Sequence, residues 1–242
     1  MSHYNQHKAM IKTVAEALGP ELCREMAFVG GSTTGLLLTD TVTQEEIRYT
    51  TDVDLIVHVV GLAGWEALRQ QLEGHGFKVS MDDDVTCRLR LGELKVDFMP
   101  DDSQVMGFSN RWYNAALESA FDFDLDQGLI IRLLTPPYFL ATKFEAFRGR
   151  GNDDLLTSHD IEDIMNLIDG REELVGEVGR SEAELKRYIA AQVSTLLAHG
   201  DRPYLLQDAS RGDPDREDIL RERLDALANL ATEIAEGEST KC

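Results

Sequence analysis

The first half of the chain alternates between helical and strand-like patterns of apolar residues. Met10, Val14 and Leu18 recur at helical spacing. We expect this helix to stop at Gly19, which precedes a proline. A β-branched apolar run at 53–60, bounded by polar residues, predicts a buried strand. The elements predicted in this half are helices at 5–18, 35–40 and 65–72 and strands at 27–29, 53–60, 77–80, 86–91, 94–99 and 129–134.

The pattern becomes helical beyond residue 135. Helices are predicted at 138–147, 159–168, 182–197 and 215–235. In the first half, Gly92-Glu93 separates two strands and is a tight hairpin signal. We therefore expect an α+β protein with a small mixed β-sheet and flanking helices in residues 1–135, followed by a helical C-terminal part in residues 136–242.

Composition narrows the class of protein. The chain is 43% apolar, which is enough for a sizeable core, and its 3 cysteines are widely spaced with no CxxC pair. The N-terminus has no apolar signal region, and no apolar run approaches the roughly 18 residues of a membrane span. We expect a cytoplasmic protein without membrane partners. The formal net charge of −20 argues against non-specific nucleic-acid binding.

The most informative pattern is a set of three aspartates on predicted strands. Asp52 and Asp54 begin one strand, and the alternation of side chains puts both carboxylates on the same face. Asp97 lies in a later apolar strand, where an unpaired charge would be costly. Hard carboxylate ligands of this kind suit Mg²⁺. The alternatives are that the first two aspartates form a turn or cap, and that Asp97 pairs with Lys95, Arg88 or Arg90.

A glycine turn precedes the acidic strand. Gly30, Gly31 and Ser32 lie between a predicted strand and a predicted helix, so backbone N–H groups and a hydroxyl can point at a phosphate. Most turns of this composition only reverse the chain. The acid pair downstream makes phosphate binding the more specific interpretation.

This order of motifs resembles a known superfamily. The chain has GGS, then DVD on the next strand, then a later single aspartate. This order is similar to that of the polymerase-β-like nucleotidyltransferases. The likeness is greatest to their AbiEii/AbiGii-type branch, whose members are known largely as toxins of toxin–antitoxin pairs. The likeness covers roughly residues 25–175. The segments that carry it are FVGGSTTGLLLTD (28–40), RYTTDVDLIV (48–57), KVDFMP (95–100), GFSNRWY (107–113), PPYFLATKFEAF (136–147) and SHDIEDIMNLIDGR (158–171).

The resemblance implies a nucleotidyltransferase fold with its catalytic core in residues 1–135. It implies that Gly30, Gly31 and Ser32 hold the triphosphate of a bound nucleotide. Asp52 and Asp54 would bind the metal ions. As the third metal-binding and catalytic acid, Asp97 would help to activate the attacking hydroxyl. Nineteen residues (33–51) separate the serine from the acid pair, longer than is usual in the family, and suggest an inserted loop.

Three residues of the helical part also match the toxin branch. Lys143 occupies the position of a lysine that contacts phosphate, and Asp160 and Asp163 match a later acidic pair. The chain departs from the pattern at His159, where the family often has lysine. Two alternatives come from the residues themselves. Lys143 lies between two phenylalanines and could snorkel on an apolar face, and Asp160 could cap a helix in a box with Thr157.

The function expected from the resemblance is a Mg²⁺- or Mn²⁺-dependent transferase. It would move a nucleoside monophosphate from a nucleoside triphosphate to an acceptor hydroxyl on tRNA, protein or a small molecule. In the toxin branch a cognate antitoxin is the expected partner. The alternatives are a non-catalytic nucleotide-binding or interaction module and a metal-dependent phosphohydrolase that uses water.

Overall fold

The computed structural model describes residues 2–81, 83, 85–107, 109–150 and 153–239, with 231–239 described by backbone alone. Phe108, in one of the segments that carry the resemblance, lies outside the described residues. The chain divides into two compact units. Unit 1 comprises Met1–Leu36 and Glu45–Thr135, and unit 2 comprises Leu37–Gln44 and Pro136–Cys242. The short segment 37–44 thus belongs with the helical part, although the sequence analysis placed it in the first domain.

The first 135 residues carry a mixed six-stranded sheet with flanking helices, which confirms the α+β class. The strand order is β3-β4-β2-β1-β6-β5. Strands β2 and β4 are parallel, as are β1 and β6, and the other neighbours are antiparallel. In chain order the elements are α1 (His3–Glu25), β1 (Met26–Val29), a 3₁₀ turn (Gly31–Thr33), α2 (Thr34–Leu37), α3 (Thr41–Glu46), β2 (Asp52–Val57), α4 (Gly61–Gly74), β3 (Arg88–Leu91), β4 (Leu94–Pro100), α5 (Ser103–Met106), α6 (Tyr113–Glu118), β5 (Phe121–Asp126) and β6 (Leu129–Leu133).

The remainder of the described chain is helical, as predicted. None of the described helices combines the length and apolarity that crossing a bilayer requires. The helices are α7 (Pro136–Arg150), α8 (His159–Gly170), α9 (Leu174–Arg180), α10 (Ala183–Ala198), α11 (Arg202–Ala209) and α12 (Pro214–Ser239).

Several predicted elements need correction. Helix α1 does not end at Gly19 but kinks there, with a φ of 74°, and Pro20 resumes the helix as its first residue, a position that tolerates a missing N–H. The predicted strand at 77–80 is reduced to one bridge between Lys78 and Arg90. The sequence analysis missed α3, β5, α5, α6, α9 and α11.

A row of apolar side chains sets the register of the central strands. Phe28 on β1 pairs with Leu55 on β2, and Leu55 pairs with Phe98 on β4. All three are fully buried, and Phe98 packs edge to face against Phe77 at 5.3 Å between ring centroids. A shift of one residue in the strand pairing would turn this apolar row to the other face of the sheet. Burial of the row therefore also fixes which side chains lie on the face opposite to it.

A partly buried ionic network holds the segment 37–44 within unit 2. Arg216 on α12 donates to both oxygens of Asp169 on α8, at 2.9 and 2.8 Å, and to Asp40 at 3.0 Å. The Thr43 hydroxyl donates to Asp40 at 2.6 Å and, with Arg216, lowers the pKa of Asp40 to about 2. Because this pKa lies below the value of about 4 in an unfolded chain, the stabilisation is present above about pH 4 and is lost as the pH falls through about 2.

The network makes a stability prediction. Asp169→Asn keeps the side-chain volume but removes the buried carboxylate of the network and leaves Arg216 with only the more exposed carboxylate of Asp40, so we expect the free energy of unfolding to fall by about 3 kcal/mol. Urea denaturation followed by far-UV circular dichroism, which reports on the helical unit, measures the change. The matched control is Glu217→Gln, which breaks a more exposed pair with Arg221 on the same helix and should cost under about 1 kcal/mol. Equal losses in the two variants would contradict the assignment.

Candidate metal and phosphate site

The three predicted acids converge in unit 1. Parallel pairing of β2 and β4 sets Asp54 opposite Asp97, and Asp52 stands two residues earlier on the same face. One carboxylate oxygen from each of Asp52, Asp54 and Asp97 lies within 4.8 Å of the others. Asp97 is buried and the other two are half-buried. The donor set therefore consists of three hard oxygen ligands, which fits a divalent cation such as Mg²⁺ or Mn²⁺.

The glycine turn lies directly against this group of acids. Val29, the last residue of β1, pairs with Asp54, so the next residue, Gly30, reaches the Asp54 side chain. A Cβ atom built on Gly30 would lie 1.9 Å from Asp54 Oδ2, far inside any possible contact. Gly30 also has a φ of 80°, in the region that favours glycine. Both the backbone conformation and the neighbouring carboxylate therefore require glycine here.

The turn and the first residue of α2 carry buried hydroxyl groups. The Thr33 N–H and hydroxyl both donate to the Gly30 carbonyl, at 3.1 and 2.9 Å, which closes the 3₁₀ turn. The hydroxyls of Ser32 and Thr34 are buried and have no hydrogen-bond partner among the described residues. A buried hydroxyl left without a partner costs about 1–3 kcal/mol, so a bound polar group at this turn would relieve that cost. This property fits an oxygen-rich ligand such as phosphate.

Arg88 supplies a cation from within the chain. It stands on β3 opposite Asp97 and donates to both oxygens of that carboxylate, at 2.7 Å each. Its Nη2 also lies 3.7 Å from Asp52 Oδ2. Of the three partners that the sequence left open for Asp97, the structure thus shows Arg88. The hydrogen bond from Arg88 to Asp97, strengthened by the charges of both acids, raises the pKa of the guanidinium.

The negative charge of the acids also reaches the neighbouring cysteine. Cys87 is buried, and this burial together with the charges of Asp97 and Asp54 raises the pKa of its thiol to about 12. The thiol is therefore protonated at neutral pH and is a poor nucleophile.

Asp52 is held in position by two residues, Thr50 and His7, which the sequence analysis did not identify. The Thr50 hydroxyl donates a short hydrogen bond to Asp52 Oδ1, and the Thr50 N–H donates to His7 Nε2 on α1 at 3.1 Å. His7 is buried and stacks on Tyr49, with ring centroids 5.9 Å apart. A hydroxyl two residues before an aspartate is a recognisable local signal. The contribution of His7 has no signal in the sequence, because it comes from a helix 43 residues away.

Lys143, Asp160 and Asp163 come together in unit 2 as a buried ionic cluster. Lys143 Nζ lies 2.6 Å from Asp163 and 3.3 Å from Asp160, and Arg150 also pairs with Asp160. Lys143 is buried rather than snorkelling to solvent. Asp160 does not form the capping box with Thr157. The N-cap of α8 is Ser158, whose hydroxyl accepts a hydrogen bond from the Ile161 N–H.

No model of a known protein family matches this chain, and a search of curated proteins also finds no match.

The contact between the glycine turn and Asp54 gives a prediction for Gly30→Ala. The new methyl group collides with the carboxylate and the backbone is strained at positive φ, so we expect a loss of about 2–4 kcal/mol in the free energy of unfolding. Tryptophan fluorescence during urea denaturation measures it, since both tryptophans lie in unit 1.

Gly92→Ala is the matched control for this substitution. Gly92 also has a positive φ, of 61°, but a Cβ there would meet nothing within 4 Å. We expect it to lose only the backbone contribution of about 1–2 kcal/mol. If Gly30→Ala were no worse than Gly92→Ala, the close packing of the turn against Asp54 would be refuted.

Proposed function

We propose that the protein is a metal-dependent nucleotidyltransferase, which transfers a nucleoside monophosphate from a nucleoside triphosphate to an acceptor hydroxyl. The observation that carries the proposal is the joint geometry of the glycine turn and the three acids. Gly30 packs directly against Asp54, and the oxygens of Asp52, Asp54 and Asp97 lie within 4.8 Å of one another. In this proposal the six-stranded sheet is a nucleotidyltransferase fold, as the resemblance to the polymerase-β-like superfamily and its AbiEii/AbiGii-type branch implies.

The three carboxylates would hold the Mg²⁺ or Mn²⁺ ions of the site. When bound, such ions neutralise the phosphates and stabilise the charge that develops in an in-line displacement. Thr50 fixes the orientation of Asp52 through its hydroxyl. The strand register fixes Asp54 and Asp97 side by side. The protein's own contribution to catalysis is thus the positioning of these oxygens.

The glycine turn would bind the triphosphate. Gly30 and Gly31 allow close approach of the phosphates to the backbone. Ser32 has a buried hydroxyl, with no partner among the described residues, that can donate to a phosphate oxygen. Lys143, with Asp160 and Asp163 around it, enters this proposal as a phosphate contact on the resemblance alone.

Asp97 would act as the base in the transfer step. The acceptor oxygen forms a bond to the α-phosphorus while the bond from that phosphorus to the pyrophosphate oxygen breaks. The hydroxyl proton passes to Asp97, and pyrophosphate leaves. For this step at least one Asp97 oxygen has to be released by Arg88, which engages both.

The acceptor can be a tRNA end, a protein side chain or a small molecule. A cognate antitoxin is the partner that the toxin branch would imply. Both the acceptor classes and the antitoxin follow from the resemblance.

A second candidate function is a nucleotide-binding module without turnover. The observation that favours it is the bidentate pair of Arg88 with Asp97, because this pair neutralises the buried acid without any metal ion. Such a module would bind nucleotide at the glycine turn and would leave the acids without a chemical role.

Nucleotide turnover separates the two functions. Each α-labelled nucleoside triphosphate is incubated with Mg²⁺ or Mn²⁺ and with total RNA, protein or small hydroxyl compounds as acceptors. We expect pyrophosphate release with transfer of label to one acceptor class, and a loss of at least about 100-fold in Asp52→Asn plus Asp54→Asn, because the charge that binds the metal ions is removed.

The matched control is Asp122→Asn plus Asp218→Asn, which removes the same charge at two exposed positions. This variant should retain wild-type turnover. Nucleotide binding without label transfer to any acceptor would support the module. Free phosphate released without an acceptor would instead identify a phosphohydrolase.

A further inference from the structure

Arg88 occupies the oxygens that a metal ion would need. Its Nε and Nη2 atoms each lie 2.7 Å from an Asp97 oxygen, and Nη2 lies 3.7 Å from Asp52. The Arg88 side chain is only 17% exposed, so the pair is shielded from bulk water and from salt. The guanidinium thus contacts two of the three candidate metal ligands.

The register of the sheet places Arg88 beside the acids. Strand β3 pairs with β4 so that Arg88 lies directly opposite Asp97, on the face that carries the acids. Without a cation, three carboxylates with oxygens within 4.8 Å would repel one another and Asp97 would be buried without compensation. Arg88 supplies that compensation through two parallel hydrogen bonds, the strongest geometry available to a guanidinium and a carboxylate.

We propose that Arg88 is an internal counterion of the candidate metal centre. It holds Asp97 and Asp52 in place while no divalent cation is bound, and it releases Asp97 when a cation binds. This inference rests on the proposed function, since it assigns Arg88 as a positioning residue of that same site. It makes metal binding an exchange of one cation for another, so that Arg88 lowers the affinity of the site for metal while it stabilises the metal-free protein.

Arg90 provides the comparison within the same strand. It lies two residues after Arg88 and makes an equivalent bidentate pair, with Asp83, at 2.6 and 3.0 Å. Asp83 is not among the clustered acids. Removal of Arg90 therefore subtracts the same charge and the same type of pair without freeing a candidate ligand.

The test measures Mn²⁺ affinity by electron paramagnetic resonance in the wild type, Arg88→Gln and Arg90→Gln. Binding to Asp52→Asn plus Asp54→Asn is subtracted as the background from other acidic groups. We expect Arg88→Gln to bind Mn²⁺ at least about tenfold more tightly than the wild type, since a charge-assisted pair no longer competes. We expect Arg90→Gln to stay within about twofold of the wild type.

A second measurement uses the wild type, in case Arg88→Gln does not fold. In protein labelled with ¹⁵N-arginine, the Nε–H resonance of Arg88, assigned by its absence in Arg88→Lys, is followed during titration with Mg²⁺. We expect it to move towards the position of an unpaired arginine as the site fills, while the resonance of Arg90 stays in place.

The outcomes separate this inference from the proposed function. Metal binding with unchanged or weaker affinity in Arg88→Gln, or an Arg88 resonance that does not move at saturation, would show that Arg88 is no competing counterion, and the metal centre would stand. Absence of binding above background in both the wild type and Arg88→Gln would overturn the metal centre itself, and with it the proposed nucleotidyltransferase.

Discussion

The parallel pairing of β2 and β4 is the constraint on which the site depends. The buried row of Phe28, Leu55 and Phe98 fixes the register of three neighbouring strands. With that row on one face, Asp54 and Asp97 must stand side by side on the other. The hydrophobic core therefore enforces a local repulsion between carboxylates.

Gly30 and Arg88 are two responses to this constraint, and they differ in kind. Gly30 gives room, because Asp54 fills the space in which a side chain on the turn would lie. This ties the position of the turn to the position of the acid. Arg88 gives charge, through two hydrogen bonds to Asp97. One response is steric and permanent, whereas the other is an ion pair that a stronger cation can replace.

Local patterns in the sequence predicted the strands that carry the acids, because alternation and hairpin glycines are local signals. β5 also carries such a signal, the alternation in FDFDLD, which the sequence analysis overlooked. Other features depend on distant residues. The segment 37–44 joins the helical unit through Arg216, which is 176 positions from Asp40. The choice of Arg88 over Lys95 or Arg90 required the register of β3 against β4.

The arrangement of charges bears on the choice between an enzyme and a binding module. A turn that binds phosphate is favoured by positive surroundings, yet this turn lies against Asp54 and its two acidic neighbours. Among the three acids and Arg88, three negative charges and one positive charge leave a net charge of −2. The charge of these four residues opposes an approaching phosphate, and divalent cations bound by the carboxylates would offset it. Under the proposed function, phosphate binding at the turn would therefore depend on metal binding at the acids, and this dependence favours the enzyme over a module that binds nucleotide alone.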